Sequence, residues 1–336
     1  MSARPGPLNL ITDVGGLLVG SADDARIATG VTVIRPTHRA VAAVVVAGGG
    51  PGTRETDALA ADTLVDAIDA IVLSGGSVYG LAAADGVAAL LGAQGEGFAL
   101  IPNPSVPVSP IVPAAILYDL ANGGDKAWGE TPPYRALGMA ALKEANRSFE
   151  LGRVGAGFGA RAGGEPGGLG SASIVTHDGV SVGAIAAVNA HGSVMMPGTK
   201  AFWAWPFEQD GEFGGVRPPA DYTLDLDDWG GAKSNPGMWN AAPASGGRTN
   251  TTICCVATNV TLTPPEAQRV AKMAMAGLGR AVRPAFAPFD GDVVFCLSTG
   301  QVERTELRPF VIARIGELAA GCLARAIARG VYAARV

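Results

Sequence analysis

The sequence predicts an α/β sandwich, on two observations. Strand-like and helix-like segments come in blocks and not in strict βαβ alternation, which argues against a doubly wound sheet. Hydrophobic residues make up 48% of the 336-residue chain and charged residues only 16%, against about 25% charged in ordinary globular proteins. Such a chain encloses a large interior. Its 48 glycines follow no Gly-X-Y period, so they mark tight turns and close backbone approaches.

The front third alternates short β-like runs with Gly and Pro punctuation. LITDVGGLLVG (10–20) comes first, then VTVIRP (31–36) and AVAAVVVAG (40–48). Thr37-His38-Arg39 separates the last two, a spacing that suits a hairpin. DALAADTLVDAIDAIVL (57–73) reads as a helix ending at Ser74-Gly75-Gly76, and GLAAADGVAALLGA (80–93) and YRALGMAALKEA (134–145) as two more. ASIVTHD (172–178) and VSVGAIAAVNA (180–190) are strands joined by an Asp178-Gly179 turn. Residues 198–249 carry most of the Trp, with several Pro and Asp and no sustained period. They read as a long, partly ordered excursion. GGRTN (246–250) then gives way abruptly to TTICCVATNV, the vocabulary of a buried strand. Thr263-Pro264-Pro265-Glu266 is a capping box with Pro at the first helical position, opening a helix to about Ala281. VVFCLST (293–299) is a strand and 305–329 a long C-terminal helix.

Several function classes are excluded. A net charge of −5 with no basic stripe speaks against nucleic acid. The N-terminus lacks the layout of a signal peptide, and no apolar run reaches the roughly 18 residues of a membrane span. Cys254, Cys255, Cys296 and Cys322 sit in apolar runs without CxxC spacing, as reduced, buried residues of a cytoplasmic protein do. With only His38, His177 and His191, and no HExxH, neither a metal nor any other cofactor is expected. Gly155-Ala-Gly157-Phe-Gly159 hints at a dinucleotide turn, but the following RAGGEPGGLG cannot supply the helix that would hold a pyrophosphate. A turn packed against another backbone fits better. A Ser-His-Asp triad has no GxSxG elbow to stand on. His191 either lines a pocket or is hydrogen-bonded near a strand end.

Thr251 remains. A Thr hydroxyl is a weak nucleophile unless a base takes its proton, and the free α-amine of the same residue can be that base. Its pKa of about 7.7–8.0 suits the task near neutral pH. Exposing the amine requires cutting the bond before the Thr, and a Thr at the start of a strand after a polar segment has that layout. The same pattern also opens ordinary sheet strands. FDGDVVF (289–295) adds Asp290 and Asp292, whose side chains share a face if the run is extended. Two carboxylates there can orient a hydroxyl and hold an ammonium; an Asp-Gly hairpin turn is the plain alternative.

At this point the chain resembles the DmpA-like family of self-processing aminopeptidases and amidases. This is the β-aminopeptidase group of N-terminal-nucleophile hydrolases, which also holds the nylon-oligomer hydrolases. The resemblance spans nearly the whole chain, through ITDVGG (11–16), TGVTV (29–33), PGTRETD (51–57), LSGGSVYGLAAADGV (73–87), VGAGFGA (154–160), GGLGSAS (167–173), the strand ending at Asn189, NTTICCVATNV (250–260) and FDGDVVF. It implies one catalytic domain with a four-layer αββα sandwich, self-cleaved between Asn250 and Thr251 into chains of 250 and 86 residues. It also implies a homo-oligomer, a tetramer of processed protomers or larger. Thr251 is then nucleophile and base, Asn189 the oxyanion donor, Tyr79 an aromatic hydroxyl beside it, and Asp290 and Asp292 the pair behind the nucleophile. Thr252 is a supporting neighbour.

Two departures stand out. Some members carry a Lys shortly after the GAG block, where this chain has Gly164 and no Lys in the block. FWAWPFEQDGEFGG (202–215) matches no family pattern and is read as shaping the pocket or the subunit contacts. The function implied is hydrolysis of amides of small peptides, aminoacyl amides or ω-amino-acid oligomers. Ornithine acetyltransferases have a similar fold and a self-processed Thr but lack PGTRETD and FDGDVVF, which makes acyl transfer the second reading. A non-catalytic relative, which would remain an intact polypeptide, is the third.

Overall fold

The computed structural model describes residues 3–236 and 250–335. Its front part runs β1 (Leu17–Asp24), β2 (Thr29–Pro36), β3 (Val41–Val46), β4 (Thr53–Arg54), β5 (Ile71–Ser74), α1 (Ala82–Ala93), β6 (Ala114–Ile116) and α2 (Tyr134–Lys143). Then come β7 (Arg161–Ala162), β8 (Glu165–Pro166), β9 (Gly168–Val175) and β10 (Ser181–Asn189). After the excursion follow β11 (Thr251–Val260), α3 (Pro264–Ala281), β12 (Val293–Val302) and α4 (Arg308–Ala333).

Two five-stranded sheets, ordered β1-β2-β5-β6-β4 and β3-β12-β11-β10-β9, form the centre. Helices α1 and α2 cover the first sheet over a layer that includes Val31, Val33, Val72, Val87 and Leu142. Helices α3 and α4 cover the second over Val182, Val256, Val270, Leu278 and Leu323. Between the sheets lies a third apolar layer, with Leu17, Ile34, Leu73, Ile253 and Phe295. The result is the four-layer αββα sandwich.

Strand periodicity explains why the central strands read as unbroken apolar runs. On β11, Ile253, Cys255 and Ala257 face the other sheet, while Cys254 and Val256 face the helices. On β12 the alternation is the same, Val293, Phe295 and Leu297 against Val294 and Cys296. Strands buried on both faces carry no polar alternation. The Thr263–Glu266 capping box is present at the start of α3. The GAG block is a buried turn whose Gly157 packs against the backbone of Gly168 and Leu169, as close backbone approach requires. All four cysteines are buried and free. Among the described residues no helix is long and apolar enough to cross a membrane.

Three elements differ from the sequence reading: in 10–20 the strand begins only at Leu17, after a 3-10 turn at Ile11–Asp13. β2 and β3 do not form a hairpin: β2 pairs with β1 and β5, and β3 pairs with β12 in the other sheet. Thr37-His38-Arg39 is the crossing between sheets. Nor is 57–73 a helix. It contains a short 3-10 turn at Asp57–Leu59 and ends in β5, buried between β2 and β6. Here tertiary pairing overrides helix propensity. Asp69 accepts the Ile111 N–H at 2.8 Å, which ties the loop before β5 to the segment before β6.

Within the described part of the excursion, residues 202–213 pack on the second sheet's helices. Phe202 and Phe213 belong to the core. Glu212 forms a buried ion pair with Arg325 of α4 at 2.5 Å.

Candidate active site

Sheet topology gathers the candidate residues at one end. β10 and β11 are antiparallel, so Asn189, the last residue of β10, lies opposite Thr251, the first of β11. β11 and β12 are parallel, so the turn before β12, with Asp290 and Asp292, lies at that same end. Counting by twos from Ile253 and from Ala187, both in the inter-sheet layer, Thr251 and Asn189 fall on that face. Thr252 falls on the helix face; it is fully buried, and among the described residues its hydroxyl has no hydrogen-bond partner.

Asn250 and Thr251 are each only 3% exposed. The Thr251 hydroxyl donates to the carbonyl oxygen of Asn250. That same oxygen accepts the Gly291 N–H at 3.0 Å, and Asn250 bridges to Asp290 in parallel register. A Cβ on Gly291 would stand 2.7 Å from the Thr251 hydroxyl and 2.8 Å from the Gly50 carbonyl oxygen. Only a glycine leaves room there. The polar run 246–249 ahead of this point lies outside the described residues.

The two aspartates hold the surrounding backbone. Asp292 accepts the Thr252 N–H at 2.7 Å and the Phe286 N–H at 3.0 Å. Asp290 accepts the Ala287 N–H at 3.1 Å and the His191 N–H at 3.4 Å. The pair thus shares the 286–287 turn instead of forming an Asp-Gly hairpin. Burial, and then the charge of Asp290, raise the Asp292 carboxyl to about 7. Burial likewise raises Asp290, against its two backbone hydrogen bonds and the charge of Lys233.

Asn189 is fixed on both sides of its amide. Its nitrogen donates to the Tyr118 carbonyl at 3.0 Å, and its oxygen accepts the Arg161 N–H at 2.9 Å. His191 is buried at a strand end, with Nε2 3.2 Å from the Ser234 hydroxyl. Its ring lies edge-on to Phe289, centroids 4.4 Å apart. Burial, with the charge of Lys233, lowers its pKa to about 4, so it is a neutral wall. Tyr79 stands apart. Its ring packs edge-on against Trp128 at 5.6 Å, the residue is 45% exposed, and it makes no hydrogen bond to Thr251, Asn189, Asp290 or Asp292.

Three contributors escape sequence reasoning. The Gly291 N–H and Tyr118 carbonyl act through backbone, and no side-chain pattern announces them. Lys233 comes from the unpatterned excursion; its ammonium reaches the Asn189 carbonyl at 3.3 Å and side-chain oxygen at 3.5 Å. The only signal was the empty Lys position at Gly164, whose N–H donates to the Gly231 carbonyl, two residues from Lys233, at 2.7 Å. Among the described residues no group of His, Cys, Asp and Glu could hold a metal. A cavity of about 450 Å³ opens nearby, lined by residues including Gly164, Met196, Gly231 and Arg335 but by none of the aspartates, Asn189 or Thr251.

The chain is similar to known proteins in both sequence and fold. The family model of peptidase family S58 matches residues 9–336. An uncharacterised aminopeptidase of Mycobacterium tuberculosis is 41% identical over 98% of this chain and 95% of its own length. A 6-aminohexanoate-oligomer endohydrolase of a Kocuria species is 31% identical over 87% of this chain and 75% of its own. Among solved structures, a Burkholderia β-aminopeptidase aligns with TM-score 0.69 at 20% identity, covering 98% of this chain and 88% of its own. The L-aminopeptidase D-Ala-esterase/amidase of Ochrobactrum anthropi, described as a variant of the N-terminal-nucleophile hydrolase fold, aligns with TM-score 0.69 at 20% identity, covering 99% and 88%. The chain therefore belongs to peptidase family S58, the DmpA-like family its motifs resemble, and is a hydrolase acting on peptide or amide bonds.

Proposed function

We propose that the chain cuts itself between Asn250 and Thr251, and that the freed Thr251 is the nucleophile of an aminopeptidase or amidase. One observation carries this reading: the Thr251 hydroxyl lies against the Asn250 carbonyl, whose oxygen is already held by the Gly291 N–H at 3.0 Å. In the first step the Thr251 oxygen attacks the Asn250 carbonyl carbon. The C–N bond breaks as the amide nitrogen gains a proton, leaving an Asn250 ester on Thr251. That step frees the Thr251 amine, and water then hydrolyses the ester, releasing the Asn250 carboxylate and restoring the Thr251 hydroxyl. A backbone N–H aimed at the developing oxyanion stabilises such a step without reorganising.

In the processed enzyme the α-amine takes the hydroxyl proton as Thr251 attacks the substrate amide. The acyl-Thr ester forms, the substrate's amine leaves with that proton, and water restores the enzyme. Asn189, opposite Thr251 in the sheet, supplies an amide N–H to the oxyanion. Asp292 pins the Thr252 N–H, and with Asp290 provides negative charge for a cationic amine.

The substrate class is a small peptide, aminoacyl amide or ω-amino-acid oligomer, in keeping with the aminopeptidase and oligomer-hydrolase relatives. The two fragments remain one protomer, and the family resemblance supports a tetramer of such protomers. The experiment pairs wild type with Thr251→Ala on a panel of aminoacyl amides. Thr251→Ala stays at full length and releases no amine; a variant that is still cut, or still active, sinks the assignment.

A further inference from the structure

The segment 229–235 is fastened to the end of β10 at several points. The Lys233 N–H donates to the His191 carbonyl at 2.9 Å, and the Gly164 N–H to the Gly231 carbonyl at 2.7 Å. The Ser234 hydroxyl sits 3.2 Å from His191 Nε2, and the Trp229 ring is edge-on to His191, centroids 6.4 Å apart. Gly163, in the left-handed region at φ +56°, faces the Gly231 carbonyl so closely that a Cβ would collide with it. These contacts leave the Lys233 side chain little choice of direction. It runs to Asn189, meeting both its backbone and side-chain oxygens.

We propose that Lys233 is a positioning residue for amide cleavage: its ammonium holds the Asn189 side chain toward the nucleophile. The inference rests on the reading of Thr251 as nucleophile.

Charge around the ammonium is consistent with this role. Asp290, on the turn before β12, attracts it, while Arg161 of β7 opposes it. Asp292 carries a carboxyl raised by burial and by the charge of Asp290, and His191 is neutral above pH 4. Burial, against the pull of Asp290, lowers the Lys233 pKa to about 8. Lys233 in turn opposes the rise that burial imposes on Asp290. A compact ammonium on a flexible stem discharges readily when buried, whereas a guanidinium does not.

The site therefore needs Lys233 charged and Asp290 ionised, which bounds its activity on both sides. Removing the ammonium raises Asp290, so the acidic limb of the rate moves to higher pH. Replacing it with a cation that stays charged lifts the alkaline limb instead. A merely structural lysine moves neither limb.

The test compares wild type, Lys233→Met and Lys233→Arg. For each, kcat and KM on an aminoacyl amide are measured over roughly pH 5–10, and cutting at Asn250–Thr251 is read separately by intact mass. Lys233→Met, once cut, loses kcat by roughly 10- to 100-fold, the scale of a misplaced orienting group, and its acidic limb rises. Lys233→Arg keeps measurable activity with its alkaline limb moved up. Unchanged limbs in Lys233→Arg, or wild-type kcat in Lys233→Met, overturn the proposal. If Lys233→Met folds poorly or stays uncut, the alkaline limb of Lys233→Arg decides. A wild type that is not cut at Thr251 sinks the nucleophile reading instead, a failure the mass data separate from this one.

Discussion

Glu212 offers the sharpest test of how the excursion is held. Its carboxylate accepts from Arg325 Nε at 2.5 Å and Nη2 at 2.9 Å, and from Asn9 Nδ2 at 2.7 Å. Arg329 Nε lies 3.4 Å away. The Arg325 and Glu212 side chains are only 2% and 8% exposed, so water cannot replace a lost partner. Glu212→Gln keeps the shape and removes the charge, leaving two guanidiniums facing a neutral amide. Breaking a buried pair this way costs about 3–5 kcal/mol. In a chain of this size that lowers Tm by roughly 5–15 °C. Differential scanning calorimetry at neutral pH reads it. Glu212→Leu combined with Arg325→Met destabilises less than Glu212→Gln alone, because the more deeply buried guanidinium leaves with its partner. Only Arg329, which also donates to the Asn9 and Ser171 carbonyls, keeps its charge. A Tm within about 1 °C of wild type in Glu212→Gln would mean that this buried charge pair does not hold the excursion. The clamp matters beyond stability: α4 lies after the proposed cut and Glu212 before it, so this network would join the two fragments.

Gly291→Ala places a Cβ 2.7 Å from the Thr251 hydroxyl, and a displacement near 1 Å slows self-cleavage about 100-fold; a gel time course of freshly folded precursor at wild-type rate would contradict this. For His191, the folded pKa of about 4 lies below the ordinary 6.5, so its contribution is fully present above pH 6.5 and is lost as pH falls toward 4. That gap is worth about 3 kcal/mol, so His191→Asn flattens the acid side of a Tm-against-pH curve, and parallel curves for the two proteins would count against it.

Much of the fold was legible because local and tertiary preferences agree. The capping box at Thr263–Glu266, the β9–β10 hairpin across Asp178-Gly179 and the start of β11 at Thr251 all stand where the residues put them. The errors share one physical origin. β2 and β3 are buried strands, and nothing in a short polar spacer says whether the next strand joins the same sheet or the opposite one. The 57–73 segment is rich in helix formers, yet Ile71–Ser74 is drawn into a sheet by partners distant in sequence. At the site, Asn189, Thr251, Asp290 and Asp292 come together as their motifs imply. The Gly291 N–H and the Tyr118 carbonyl carry no side-chain signature, and Lys233 reaches the site only through the docking of a segment without periodicity. Tyr79, also a motif match, lies apart from these four with its ring packed on Trp128.

The proposed chemistry depends on position 251 becoming a chain start. Intact mass spectrometry of the purified protein, with N-terminal sequencing of the smaller species, tests it most directly. Two fragments are expected, residues 1–250 and an 86-residue piece beginning Thr-Thr-Ile-Cys-Cys. Only the 336-residue species after prolonged incubation, or a small fragment beginning at any other residue, would contradict it.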